Sequence, residues 1–403
     1  MVGPRVPPAD PGSLTLRRRA IWAIGCGQLV NWGVLYFMYS VLLVPLAQAF
    51  DEPRWLVAGA FSLGLLVSAI TAPAIGRLAD RGHGPAVIQA GGLCAAVLLV
   101  VWAAVPHIVT TYLVWALLGV CMSAILYEPV FAIVGRAFSD ANDRMRAIAT
   151  VTVMGGLASS IFLPGTAALV TWWGWRGAVM AIAGLMALAT IVVGRIAFSD
   201  HEWSASTIRD SLRGNHVEGD ASVELHELNR LVVVFAVSAL VNSAIATNLV
   251  AALIEGGFAP TLAATVAGLF GWMQLPGRLL MTSPRFTPSP IGLVVFSFAL
   301  QVAGLMALMF HSHAALVGGV LVFAAGAGLT TLARPYWVLQ KYGAQHAGFA
   351  NGVISRAQQL ARAAGPVSAA ALAESRGYGL VFALLSGLLV FASFVSVQRR
   401  ERD

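Results

Sequence analysis

Charge is scarce in this chain: only 11% of its 403 residues are Asp, Glu, Lys or Arg. A soluble globule of that size carries about a quarter, so a freestanding water-soluble domain is excluded. Cysteine is nearly missing as well. Cys26, Cys94 and Cys121 each fall inside an apolar run without CxxC spacing, which indicates neither a disulfide framework nor a thiolate metal site. No GxxxxGK[ST] loop occurs, so direct coupling to ATP is not indicated. His311 and His313 form an isolated HxH with no third ligand nearby and read as solvated side chains rather than a metal site. Long polar segments are lacking except at about 199–229, which leaves no room for a sizeable receptor domain. The apolar runs hold one acid and no histidine, so an intramembrane hydrolase would have none of its paired acids, Ser/His pair or clustered His ligands. No enzyme activity, cofactor or metal is expected.

What is present is apolar. Hydrophobic residues make up 58% of the chain, and the mean hydropathy is +0.79. Runs of about 20 such residues recur, each long enough to cross a ~30 Å hydrocarbon layer. They fall at about 20–46, 55–75, 85–106, 110–134, 147–170 and 177–198, then 231–254, 260–282, 290–310, 314–339, 348–373 and 379–397. The expectation is an all-α membrane protein of twelve transmembrane helices in two pseudo-symmetric six-helix bundles. Its parts are a cytoplasmic tail (1–19), an N-terminal bundle (20–198), a cytoplasmic linker (199–229), a C-terminal bundle (230–398) and a short cytoplasmic tail (399–403). Arg17, Arg18 and Arg19 lead into a first run too long for a signal peptide. Of the 25 basic residues, eighteen fall on the side of the termini and three (Arg54, Arg176, Arg376) on the other. That asymmetry puts both termini in the cytoplasm and accounts for the positive charge without a nucleic-acid partner.

Five ionisable groups lie within the runs: Glu128, Arg278, Arg334, Arg356 and Arg362. Each costs about 2.5–3.5 kcal/mol on insertion scales, which marks it as functional or paired. Four are cations, so the cavity they line should favour an anion. Leu126-Tyr127-Glu128-Pro129 in the fourth run matches Leu332-Ala333-Arg334-Pro335 in the tenth, and Leu29-Val30-Asn31 recurs as Leu240-Val241-Asn242. In order, and at like run numbers, these matches support a parallel duplication. Glu128 stands about seven residues inside the membrane, roughly 10 Å deep. It can be a proton carrier that trades Arg334 with substrate, an inner gate, or a static ion pair. Arg362, near mid-membrane, can bind an anion or the carbonyls of a neighbouring helix. Arg278 belongs either to a loop at the inner mouth or two turns inside run eight. Arg356 can snorkel to the inner surface. Gln28 and Asn31 share a face with Trp32, and Asn242 one with Ser238; as ligand hydrogen-bonders they compete with interhelical bonding.

Gly76-Arg77-Leu78-Ala79-Asp80-Arg81 resembles the signature loop of the major facilitator superfamily, and Trp173-Gly174-Trp175-Arg176 is common there. The loop departs from the family pattern at Pro85 and Ala86, places that are usually basic. Within that family the chain looks most like the monocarboxylate and oxalate–formate porters: Asn31-Trp32-Gly33 with Tyr36 and Pro45 resembles their first-span signature, and Arg144, Arg146, Ala149 and Gly155-Gly156 part of their fifth. The resemblance implies a secondary transporter of a small organic anion, a monocarboxylate, taken with a proton by alternating access. It implies spans one, four, seven and ten around a central cavity, with Glu128 and Arg334 turned toward each other. Glu128 is then the proton-coupling residue. Arg334, Arg278, Arg362, Asn31, Gln28, Asn242 and Tyr127 form the substrate-binding set, with Arg278 where the branch places its carboxylate-binding arginine. Gly76, Asp80, Arg81 and Arg356 form the gating set, Asp80 engaging the start of span eleven. The partners implied are an organic anion, a proton and the lipid bilayer, for a monomer in a bacterial inner membrane. The competing reading is a proton-driven efflux antiporter for an amphipathic compound, which the aromatic content would suit.

Overall fold

The computed structural model describes residues 11–137, 141–198, 225–280, 288–310 and 312–398, helical almost throughout and without a strand among them. Lipid cannot satisfy backbone N–H and C=O groups, so each apolar run closes its own hydrogen bonds as a helix. The first half comprises α1 (Pro11–Trp32), a π-helical turn (Gly33–Phe37), α2 (Met38–Phe50), α3 (Arg54–Leu78), a second π-helical turn (Ala79–His83), α4 (Gly84–Ala104), α5 (Ile108–Ile125), α6 (Tyr127–Ala137), α7 (Ala141–Gly156) and α8 (Ala158–Ala197). The second comprises α9 (Leu225–Glu255), α10 (Pro260–Leu280), α11 (Pro290–Leu308), α12 (His313–Arg376) and α13 (Tyr378–Val397).

Two helices begin earlier than the apolar runs do. α1 starts at Pro11 rather than near residue 20, because proline suits the first helical position, where no N–H is needed. α9 starts at Leu225, inside the expected linker; there Arg230 Nη1 pairs with Glu227 Oε1 one turn back at 3.1 Å.

Nine stretches among the described residues are long and apolar enough to cross a membrane. One of them, Asp143–Ala197, has 55 residues, more than twice a single crossing. Its backbone leaves the helix at Gly174 (φ 67°, ψ 174°), a conformation a side chain would resist. Expected spans five and six lie on either side. α12 must fold back too, since its 64 residues would extend ~96 Å as a straight rod. Arg334 Nη1 nevertheless donates to Ser355 Oγ at 3.0 Å across 21 positions of sequence, so the chain reverses between them.

The first half packs around aromatics. Tyr39 stacks on Phe61 with centroids 5.0 Å apart, and Trp115 meets both rings edge-on. Ile70, Leu113 and Phe394 are exposed on the outer surface, as lipid contact allows. α3 and α5 touch backbone to backbone: a Cβ on Gly119 would stand 2.3 Å from the carbonyl oxygen of Gly64. No side chain can move aside there. Gly119→Ala is therefore expected to cost about 3 kcal/mol by overpacking, whereas Gly165→Ala, with nothing within 4 Å, serves as a neutral control. Thermal unfolding of the two purified variants checks this, and equal midpoints would refute it.

Among the described residues, the halves meet at the face bearing the turns around Asp51, Gly257 and Gly377, here the distal face. Arg54 Nη1 pairs with Glu255 Oε2 at 3.2 Å, and the Trp55 N–H donates to Glu374 Oε2 at 3.4 Å. Deeper in, the Val367 N–H donates to Ser62 Oγ at 3.2 Å, and Ser160 Oγ donates to the Gly268 carbonyl at 2.8 Å.

Candidate functional site

Span four breaks where its sequence removes a donor. Pro129 has no N–H to offer the carbonyl four residues back, that of Ile125, and Leu126 leaves helical geometry (φ −77°, ψ −162°). The freed carbonyl is taken up from span one: Gln28 Nε2 donates to it at 2.6 Å and Asn31 Nδ2 at 3.2 Å. The chain restarts as α6 with Glu128 in its first turn, where unpaired N–H groups and the helix dipole favour a carboxylate. The break thus places an acid, exposed, at a helix N-terminus. Span ten does not repeat it: α12 runs on through Pro335.

Arg334 and Arg362, both half-buried, belong to the antiparallel arms of α12. Arg334 Nη1 donates to Ser355 Oγ and, through a shorter bond, to Gln358 Oε1; Gln358 Nε2 is anchored on the Phe235 carbonyl at 3.2 Å. Arg362 Nη1 donates to Gln359 Oε1 at 3.1 Å. From the other half of the molecule, Glu128 Oε1 accepts from Gln359 Nε2 at 3.2 Å. Glu128 and Arg334 are brought into one region but form no ion pair among the described residues. The charges that act on Arg334 are Arg362, of like sign, and Glu128, of opposite sign. Two guanidiniums and one carboxylate leave a local excess of one positive charge.

An aromatic wall faces this cluster from the first half. Trp32 lies 5.3 Å from Tyr36 and 4.9 Å from Tyr127, centroid to centroid. Tyr36 sits in the first π-helical turn, an irregularity common at functional sites, and feels the charge of Arg362 across the interface. Tyr127 Oη donates to the Thr152 carbonyl at 3.2 Å. Trp32 Nε1 is buried without a hydrogen-bond partner among the described residues.

The remaining expected residues lie elsewhere. Asn242 Nδ2 donates to the Ser238 carbonyl at 2.8 Å and to Gln301 Oε1 at 3.3 Å. Gln301 Nε2 in turn donates to Thr330 Oγ1 at 2.8 Å, a network within the second half. Arg356 is exposed on α12, as is Arg81 on its π-helical turn, and nothing lies within 4 Å of a Cβ built on Gly76. The side chains of Asp80 and Arg278 lie outside the described residues, as does His311. Gln359 and Ser355 were not anticipated. Gln359 precedes Arg362 by three positions, on the same helical face, and that spacing was the available signal. The Arg54–Glu255 pair had none, because its partners are 201 residues apart.

A family model described as Major Facilitator Superfamily matches residues 21–283. Over 148 residues the chain is 28% identical to Monocarboxylate transporter 13 of Bos taurus, a match covering 36% of this chain and 34% of that protein. The match therefore spans about a third of the curated relative's length. Among solved structures, a bacterial homolog of the human lysosomal transporter Spinster, in an inward-facing and occupied conformation, is similar with a TM-score of 0.74 at 11% identity, over 96% of this chain and 97% of that one. The human organic anion transporter MFSD10 (TETRAN) is similar at 0.67 and 18% identity, over 96% and 100%, and the nucleoside transporter NupG at 0.71 and 13%, over 94% and 98%. At such identities the likeness is one of fold.

Proposed function

The chain belongs to the major facilitator superfamily, and from that premise we propose that it is a secondary transporter of a small organic anion, a monocarboxylate, moved together with a proton by alternating access. The observation that carries this reading is the pair Arg334 and Arg362. Both are half-buried, and their hydrogen-bond acceptors are neutral oxygens of Ser355, Gln358 and Gln359. Half-buried cations whose acceptors, among the described residues, are neutral gain from an arriving anion. The aromatic side chains of Trp32, Tyr36 and Tyr127 supply apolar surface for the rest of a small carboxylate. The monocarboxylate transporter found among the relatives agrees with that chemistry. Glu128, the one acid in the cluster, is the proton carrier.

Alternating access fits the distribution of bonds between the halves. Among the described residues, Arg54–Glu255 and Trp55–Glu374 join the halves at the distal face, while Glu128–Gln359 joins them at the cluster. With both termini read as cytoplasmic from the basic residues, the distal face is the outer one and the cluster lies to its inner side. A hollow of about 430 Å³ at the distal face, lined by Asp51, Glu52, Arg54 and Glu374, becomes the outer vestibule.

The test is uptake into proteoliposomes of a panel of monocarboxylates with and without a pH gradient. With an acid outside, at one pH unit of gradient and 1:1 coupling, accumulation should reach up to about tenfold over the ungraded control. The aromatic wall favours one alternative, proton-driven efflux of an amphipathic compound. In that case added substrate would exchange against protons instead of carrying them in, and no member of the panel would accumulate.

A further inference from the structure

One side chain spans the acid of the first half and an arginine of the second. Gln359 Nε2 donates to Glu128 Oε1 at 3.2 Å, and Gln359 Oε1 accepts from Arg362 Nη1 at 3.1 Å. Chemistry fixes which way this amide faces. An ionised carboxylate only accepts and a guanidinium only donates, so exchanging the amide oxygen and nitrogen would break both bonds at once. The charge on Glu128 therefore holds the amide, and the amide holds Arg362.

We infer that Gln359 is the positioning residue that couples anion binding to protonation: an ionised Glu128 keeps Arg362 engaged through Gln359, and a protonated Glu128 releases it to the anion. A neutral carboxyl accepts a weaker hydrogen bond than a carboxylate does, by roughly half, and its hydroxyl can donate to the amide oxygen that Arg362 had used. Only an O–H bond forms and breaks, with the proton coming from water and returning to it. Because coupling is reciprocal, anion binding draws a proton onto Glu128 by the same factor. This rests on the organic-anion reading above. It adds the route by which the two ligands sense one another.

Other charges do not replace that route. From the second half, Arg334 and Arg362 face Glu128, Arg334 already held by Ser355 and Gln358, and Arg356 is exposed. Of the elements packed on α6, α7 carries Asp143, Arg144 and Arg146 in its first two turns, all exposed. α3 carries Arg77 in its last turn, and the neighbouring π-helical turn carries Arg81 and His83, also exposed. α1 brings Arg18, Arg19 and Cys26, exposed as well, and among the described residues α4 and α5, with the His107 that caps α5, add Cys94, Cys121 and Tyr112.

The test measures affinity of the purified full chain for pyruvate, lactate and benzoate at about pH 4.5 and about pH 7.5, a window whose lower end reaches the ordinary range of a glutamate carboxyl, about 4.3. The wild type should bind at least one probe about fivefold or more tighter at the lower pH, within the usual range of coupling between sites. Gln359→Met keeps the length of the side chain without its donor or acceptor, and its affinity should change by less than about twofold between the two pH values. Gln359→Asn, too short to reach both partners, should flatten the profile likewise and carries the test should the methionine variant not fold. A variant that loses affinity equally at both pH values, keeping the wild-type ratio, overturns the coupling role and leaves a structural one. Binding of none of the probes by the wild type at either pH overturns the organic-anion reading, and the coupling role with it.

Discussion

Replacing Arg334 with glutamine is expected to weaken monocarboxylate binding by roughly 100-fold or more. Truncating one partner of a buried, hydrogen-bonded charge pair costs 2–5 kcal/mol, and at 1.4 kcal/mol per tenfold the lower half of that range already gives this factor. The fold should tolerate the change. The neighbours of Arg334, Ser355 and Gln358, are neutral and can bond to an amide as well as to each other. Losing one of two like charges also relieves the repulsion between Arg334 and Arg362. Arg334→Lys keeps the charge and loses the planar fork, so it should fall between the two. Arg356→Gln, exposed on the same helix, should bind as the wild type does. Titration of each purified variant with the tightest-binding member of the panel decides it; an Arg334→Gln affinity within threefold of wild type would remove Arg334 from the site.

The fold was readable because one physical demand dominates it. A run such as 379–397 must be a helix if it is to cross lipid, and its length says so without help from neighbours. The break at Leu126 was not readable in this way: Pro129 is plain in the sequence, but Pro335 at the matching place leaves α12 running on. What took up the orphaned carbonyl was not plain: Gln28 and Asn31 lie 97 and 94 residues away from Ile125. Left open between ligand bonding and interhelical bonding, both donate to span four through their amide nitrogens. The charged cluster was legible in its membership and not in its wiring. Glu128 and Arg334 share a neighbourhood, as matching positions of a duplicated fold would, yet Glu128 reaches Gln359 instead, across 231 positions. Helical periodicity cannot show such a contact, because it depends on how far the two halves have rocked together. Arg54 was read only for what its sign implies about topology and Glu374 not at all, and their part in joining the halves at the distal face comes from geometry alone.

Glu128→Gln should separate exchange from accumulation. An amide at this position imitates the protonated acid: it is neutral, has nearly the same shape and can still accept from Gln359 Nε2 through its oxygen. Folding should be little affected, since losing a charge at a helix N-terminus costs about 0.3–1 kcal/mol. A carrier fixed in its proton-loaded form can still pass an anion back and forth, so counterflow between loaded vesicles should stay within about threefold of wild type. It cannot return a proton, and a pH gradient then does no work on the anion. Under one pH unit, where 1:1 coupling supports up to about tenfold accumulation, the variant should only equilibrate. Accumulation at the wild-type level would move the proton to another group. Loss of counterflow together with accumulation would make Glu128 a gate, needed for movement of the halves and not for coupling.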